Sequence, residues 1–407
     1  MPPHRISSAS ERYVGQQDTS MRGKFAAFSE QEHRTRLARL RVLMKERGVE
    51  YCISVAPESL YYYGGYDSWV SVNSPQALIF TAYDDEPTIV LRDTDLSLAY
   101  ESTWIRDIRA YRLMFENVPG RIATVAKEKG LKRGKVAIET QSYAIPHAFG
   151  LALAEALSPA TIIDATDLLG LPRLIKTPEE MTQLRRAAKH AKAGLEAMRR
   201  MLKPGISEIA LAAEIESSLR ASGSDYWSIP TELAGGERSA GGHATPRNRI
   251  IQPGDLVHAE FAGVSARYHA TAIHTIAAGE PSARVRKVYD VARASLAAGA
   301  AAIKPGAPVG AVEEASLEPV RAAGMEDAAA MRFGYGIGIA YPPIWLEPLQ
   351  ISRGPNQRME IGMVFVLHSY LQFPEEGLGV IQGGTYTLTE NGIEMLVGSG
   401  DTPLEVA

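Results

Sequence analysis

The chain is short of cysteine, of long apolar runs and of net charge, and each shortage removes a class of protein. Its one cysteine, Cys52, excludes an internal disulfide framework. It lies in the apolar run YCISVA and reads as a small buried hydrophobe in a strand. No apolar run approaches the roughly 20 residues needed to span a bilayer. A formal net charge of −4 gives no electrostatic reason to expect nucleic acid or an anionic membrane as partner. The opening MPPHRISSASERYVGQQDTS lacks the apolar core of a signal peptide, so residues 1–25 are expected as a polar arm and the protein as cytoplasmic. No glycine-rich phosphate loop opens a helix. No nucleotide site is therefore expected.

What is present is the substance of two ordinary globular domains in 407 residues, with 45% hydrophobic and 22% charged side chains. From Ser29 to Glu46, Leu37, Leu40, Leu43 and Met44 fall at helical spacing. Short apolar strands follow (YCISVAPE, QALIFTA, PTIVLR, KVAIE), alternating with helical pieces such as RIATVAKEKG. Residues 26–174 thus read as an α/β domain. A boundary is expected at about residue 175. There Thr177 as N-cap and Pro178 at the first helical position open a long basic helix, whose Arg185, Arg186, Lys189 and Lys192 read as a solvated face. Residues 175–407 alternate further helices with the β-rich runs DLVHAEF, ATAIHTIAA, MVFVLHSYLQF and TYTLT, an α+β texture.

The chemistry-bearing residues gather between His243 and Thr275. His243 sits in a glycine-rich loop, and an imidazole that titrates near neutrality suits proton transfer to a leaving nitrogen. Gly254 and Asp255 turn the chain into a strand carrying His258 and Glu260. These two share a face, because alternate residues of a strand point the same way. A glutamate in an apolar strand is costly to desolvate and requires a partner or a cationic ligand. It is either a salt bridge to Arg267 or a reactive carboxylate, acting as nucleophile or as base toward water. A turn is expected around Gly263, with a second strand from Tyr268. Arg267, Tyr268 and His269 are then placed to bind a carboxylate, polarise an oxyanion or orient Glu260, His269 being the weakest because it alternates to the other face.

This pattern resembles the pita-bread superfamily of methionine aminopeptidases, Xaa-Pro peptidases and creatinase. Its metal-dependent members hold two ions with Asp, Asp, His, Glu and Glu. Here those positions fall on Glu260, Thr271, Tyr335, His368 and about Gly383, and not one matches. The resemblance is closer to the metal-free ectoine hydrolases. Their E-x-A-G-x-x-x-R-Y-H appears as Glu260, Ala262, Gly263, Arg267, Tyr268 and His269, and their G-Y-D-G-W as Gly65 to Trp69. Their G-Y-S-I-G is Gly334 to Gly338, and Y-P-P-D-W-G-E is Tyr341 to Glu347, with Ile344 and Leu346 in place of Asp and Gly.

The resemblance implies an α/β N-terminal domain, an α+β pita-bread catalytic domain, no cofactor and no metal. It further implies Glu260, His243 and Tyr268 in catalysis and Asp67, Trp69, Arg267, His269, Tyr335, Tyr341, Trp345 and His368 around the substrate. Asp67 and Trp69 would serve a neighbouring subunit's cleft in a homodimer. The expected activity is opening of a C–N bond in a small zwitterionic cyclic amidine such as ectoine or hydroxyectoine. The alternatives are creatinase-type hydrolysis, Xaa-Pro peptide cleavage, or a non-catalytic ligand-binding protein. An amidinium carbon is electrophilic without a Lewis acid, and its charge would be repelled by two divalent cations, so the ligand losses and the substrate charge explain each other.

Overall fold

The computed structural model describes residues 22–83 and 86–407. The expected arm therefore lies outside the described residues, apart from its last four. The chain divides into two compact units, residues 1–172 and 173–407.

In the first unit, helix α1 (Glu30–Glu46) is capped by Ser29, whose side chain accepts from the Glu32 N–H, and buries Leu37, Leu40 and Met44. Six strands follow: β1 (Tyr51–Ser54), β2 (Ala77–Thr81), β3 (Thr88–Arg92), β4 (Asp107–Tyr111), β5 (Lys135–Ile138) and β6 (Thr161–Asp164). They form one sheet in the order β4-β3-β2-β1-β5-β6. The helices between and after them are α2 (Pro57–Gly64), α3 (Leu96–Ser102), α4 (Val118–Glu128), α5 (His147–Leu157) and, past β6, α6 (Thr166–Gly170). Ile122 and Val125 of α4 and Leu153 and Leu157 of α5 pack on Ile53, Ile79, Val90, Val136 and Ile138. Cys52 is fully buried in β1, as its apolar run implies.

The second unit opens with α7 (Pro178–Met201). Thr177 accepts from the Glu180 N–H and Glu180 returns the bond to the Thr177 N–H, a complete capping box with Pro178 in the first turn. Helix α8 (Glu208–Ala221) packs beside it. The sheet of this unit contains β7 (Glu232–Gly235), β8 (Asp255–Ser265), β9 (Tyr268–Ala278), β10 (Ala329–Ala330), β11 (Gly334–Tyr341), β12 (Ile344–Ile351), β13 (Val364–Phe373), β14 (Leu378–Thr389), β15 (Gly392–Gly398) and β16 (Glu405–Val406). Its main path runs β12-β11-β13-β14-β9-β8-β7. Helices α9 (Ala283–Ala302) and α10 (Val309–Ala322) complete the unit.

Strand alternation decides what each face meets. Val257, Ala259 and Phe261 of β8, with Ala270 and Ala272 of β9, pack on α7 and α8. The opposite face carries Leu256 and Ala277 against Val288 and Ala292 of α9 at one end, and Glu260 further along. The turn expected around Gly263 is not there. The strand runs through to Ser265 and turns at Ala266 and Arg267, both with positive φ (48° and 64°), the two-residue hairpin geometry that matches strand twist. Gly263 serves a different need, because a Cβ there would lie 2.2 Å from the Ala187 carbonyl oxygen of α7. The glycine lets helix and strand approach.

Candidate active site

The register of the sheet assembles the site. Glu232 of β7 stands opposite Glu260 of β8, Glu260 stands opposite Ile273 of β9, His368 of β13 stands opposite Gly383 of β14, and Tyr335 of β11 stands opposite Val366 of β13. Glu232, Glu260, Tyr335 and His368 line one cavity of about 380 Å3 together with His243, Arg332, Trp345, Ile229, Met331, Ile344 and Leu346. A Cβ on Gly383 would come within 2.9 Å of the His368 Cβ, so the glycine makes room for that imidazole.

Glu260 is 8% exposed. The Tyr335 hydroxyl donates to its Oε1 at 2.9 Å, and the Trp345 indole N–H donates to that hydroxyl at 3.0 Å. This chain of donors fixes one carboxylate oxygen and leaves Oε2 without a hydrogen bond from the described residues. Burial pushes the Glu260 pKa up, opposed by the Tyr335 hydrogen bond and the charge of Arg332. Glu232 is raised as well, first by burial and then by the charge of Glu260. Two carboxylates that resist ionising side by side favour a pair holding one proton. The Tyr335 phenol is held well above its ordinary value by burial and by Glu260, so it remains a donor.

His368 is lowered to about 3, chiefly by burial and further by Arg332 and His243. It is a neutral imidazole at physiological pH, with its ring centroid 5.9 Å from that of Tyr335. His243 lies exposed at the cavity edge. Of the two cavity histidines, it is the one open to protons from solvent.

Several expected site residues are elsewhere. Tyr268, expected in catalysis, points to the α7 face, where its hydroxyl donates to Glu180 Oε1 at 2.7 Å. The face assignment of the hairpin was inverted: Glu260 pairs with Ile273, so His269 and Thr271 share its side and Tyr268 does not. His269 is fully buried and accepts from the Ser228 N–H through Nε2 at 3.0 Å, which makes Nδ1 the donor to the Arg267 carbonyl at 2.9 Å. Its pKa is lowered to about 4, first by burial, and its ring lies 6.3 Å from Trp345, behind the cavity wall. Arg267 stacks on Tyr226 at 4.1 Å, and the groups acting on Glu260 are Tyr335 and Arg332, so the salt-bridge reading of that carboxylate falls. Tyr341 is fully buried at the end of β11, outside the cavity lining. His258 donates from Nε2 to the Ser239 carbonyl at 3.1 Å and does not line the cavity. Glu347 closes a buried ion pair with Lys176 at 2.6 Å. Asp67 and Trp69 belong to the first unit, where Trp69 is 55% exposed. Glu232 and Arg332 were not anticipated. Glu232 sits in TELAGG, and a carboxylate opening a short apolar strand was its available signal.

A ten-stranded sheet flanked by paired helices, with glutamates, histidines and a tyrosine lining one cavity, has the pita-bread architecture of a class of hydrolases. Residues 182–390 match metallopeptidase family M24 and residues 36–175 match the creatinase/prolidase N-terminal domain. The chain belongs to family M24. It is 32% identical over 236 residues to the uncharacterized peptidase YqhT of Bacillus subtilis, covering 58% of this chain and 65% of that protein, just under two thirds of its length. It is 26% identical over 391 residues to the ectoine hydrolase of Halomonas elongata, covering 91% of this chain and 96% of that one. The solved Xaa-Pro dipeptidase from Bacillus anthracis superposes with a TM-score of 0.81 at 23% identity, over 92% of this chain and all of that one.

The family's dinuclear metal requires several carboxylates and an imidazole at fixed spacing. The residues at the corresponding positions do not fit it: a phenol that stays protonated, a threonine and a glycine replace three of the five donors. Among the described residues no three His, Cys, Asp or Glu side chains form a metal-binding group.

Proposed function

We propose that the protein is a metal-independent hydrolase that opens a C–N bond in a small zwitterionic cyclic amidine, ectoine or a relative of it. One observation carries the reading: Glu260 lies buried at the first position of the metal set, with one oxygen anchored by Tyr335 and the other without a hydrogen bond from the described residues. A cationic amidinium entering the cavity favours ionisation of Glu260, reversing the effect of burial. Oε2 then attacks the amidinium carbon, or takes a proton from the water that does. The π electrons of the C–N bond move to nitrogen to give a tetrahedral adduct. His243, at the open edge, delivers a proton to the departing nitrogen as that bond breaks. In the covalent route water then adds to the same carbon and the C–O bond to Glu260 breaks, its electron pair returning to the carboxylate. One water proton recharges His243 and the other goes to the released amine. In the water route the proton taken by Glu260 passes back to His243. Arg332, whose Nε makes no hydrogen bond, is suited to the substrate carboxylate. The apolar and aromatic wall of Trp345, Ile344 and Leu346 keeps water scarce around the charges.

In this reading Asp67 and Trp69 would serve the cavity of a second copy in a homodimer, and the enzyme would work in the cytoplasm. Among the described residues no helix is long and apolar enough to cross a membrane. Assaying purified protein with ectoine and hydroxyectoine, with and without EDTA, tests the proposal. Ring opening unaffected by chelator is expected. A rate that vanishes with EDTA and returns with manganese or zinc would overturn it.

A further inference from the structure

The cavity holds more carboxyl groups than a single nucleophile needs. Glu232 and Glu260 are directly opposed on antiparallel strands, a relationship that puts Cβ atoms about 4.5–5.5 Å apart on one face, where like charges destabilise the pair. Glu232 is 8% exposed, and its side chain makes no hydrogen bond or ion pair with any described residue. A second residue of the lining also has an unpartnered polar atom: His368, 4% exposed, makes no hydrogen bond through its buried Nδ1. Arg332 lines the cavity, but its guanidinium stands 5.3 Å from the Tyr335 ring centroid and forms no ion pair with either glutamate. Among the described residues, therefore, neither the Glu232 carboxyl nor Oε2 of Glu260 is given a donor.

We propose that Glu232 is a substrate-binding residue which, with Glu260, grips a planar delocalised cation, an amidinium or guanidinium, by its N–H groups. Such a cation presents a donor to each carboxylate and neutralises their repulsion. A neutral amide turns a carbonyl oxygen toward one of them and gains nothing from the charge. Trp345, in the cavity wall, adds an aromatic surface suited to a flat cation. Selection for the cationic head thus comes from Glu232, and selection for the carboxylate tail from Arg332. This rests on the cavity being the substrate site proposed above, and it narrows the substrate to an amidine or guanidine over a peptide.

Acetamidinium and acetamide, matched in size and differing in charge, separate these cases in ligand-observed NMR titrations of the full-length protein. Wild type is expected to bind acetamidinium the more tightly. Glu232→Gln should weaken acetamidinium by about tenfold or more while leaving acetamide within about twofold. Glu232→Asp, shorter but charged, should restore part of the preference, which a purely structural role would not do. Thermal melts of both variants report folding, and Glu232→Gln should melt no lower than wild type, since it removes a repulsion. Acetamidinium binding that survives Glu232→Gln unchanged overturns the proposal. If the preference depends on Glu232 while ectoine and hydroxyectoine remain intact, the cation site stands and the ectoine reading fails. If wild type and Glu232→Gln open ectoine at equal rates, the reverse holds.

Discussion

Glu139 and Glu208 are as buried as Glu232 and Glu260, yet the two pairs are built in opposite ways. Glu139, in the first unit, accepts at Oε2 from the Ser54 hydroxyl at 2.7 Å and from the Val55 and Ala56 N–H groups at 3.0 and 3.1 Å, and at Oε1 from the Ser59 hydroxyl. It sits at the N-terminus of α2, where a negative charge is favoured by the helix dipole. Glu208 in the second unit accepts from the Gly235 and Arg247 N–H groups at 3.0 and 2.9 Å and pairs with Arg238. Glu232 has none of this and Glu260 has one hydrogen bond. Burial alone thus says little about role. A buried carboxylate with a full set of donors holds loops in place, whereas one left without donors, facing a cavity, stores an attraction for something not yet bound.

The largest expected effect tests the unsatisfied side. Glu260→Gln keeps the hydrogen bond from Tyr335 but abolishes the nucleophile, so turnover of a cyclic amidine should fall by about 10^3-fold or more with the fold unchanged. A variant at wild-type rate, measured by product formation, would remove Glu260 from the mechanism. The satisfied side should answer in stability. Glu139→Ala strands two hydroxyls and two N–H groups in a buried site and should cost about 3 kcal/mol or more, read by chemical denaturation. An unchanged midpoint would mean that those donors find water, and that the contrast between the two kinds of glutamate is false.

The sequence carried some of this and concealed the rest for identifiable reasons. The Thr177-Pro178 helix start, the buried Cys52 and the strand bearing Glu260 were legible because capping chemistry and apolar alternation are local. Tyr335, Trp345, His243 and His368 were named through resemblance, and three separate stretches of chain bring them to the lining of one cavity. The facing of Tyr268 was missed because the hairpin turns at Ala266 and Arg267, residues without the usual Asn-Gly signal, while Gly263 imitated a turn. The role of Glu232 was missed for a different reason. Its significance lies in facing Glu260 across a strand pair, and cross-strand register is not written in either strand alone.

Tyr268 offers a smaller and more specific cut at the comparison. Its hydroxyl is one of the donors that satisfy Glu180, the other being the Thr177 N–H at 2.8 Å. Tyr268→Phe should therefore cost about 1.5 kcal/mol of stability, the scale of a hydrogen bond to a charged group, and leave kcat within about twofold. A large loss of kcat with unchanged stability would return Tyr268 to the catalytic set.

The smallest effect, and the one whose sign separates the two kinds of glutamate, is expected of Glu232→Gln. Burial and the charge of Glu260 raise the folded pKa of Glu232 above the unfolded value of about 4.3. Below that value the carboxyl is protonated in both states and folding costs it nothing. As pH rises, the unfolded chain releases the proton first while the folded chain retains it, so wild-type stability falls from about pH 4.3 up through the raised folded pKa. Glutamine has no proton to lose. The variant should match wild type near pH 4 and exceed it at pH 8 by on the order of 1 kcal/mol, the opposite sign from Glu139→Ala. Urea melts at those two pH values read the difference directly. A gap that widens toward acid would mean that Glu232 is stabilised as an anion by the fold itself, making it a structural carboxylate like Glu139.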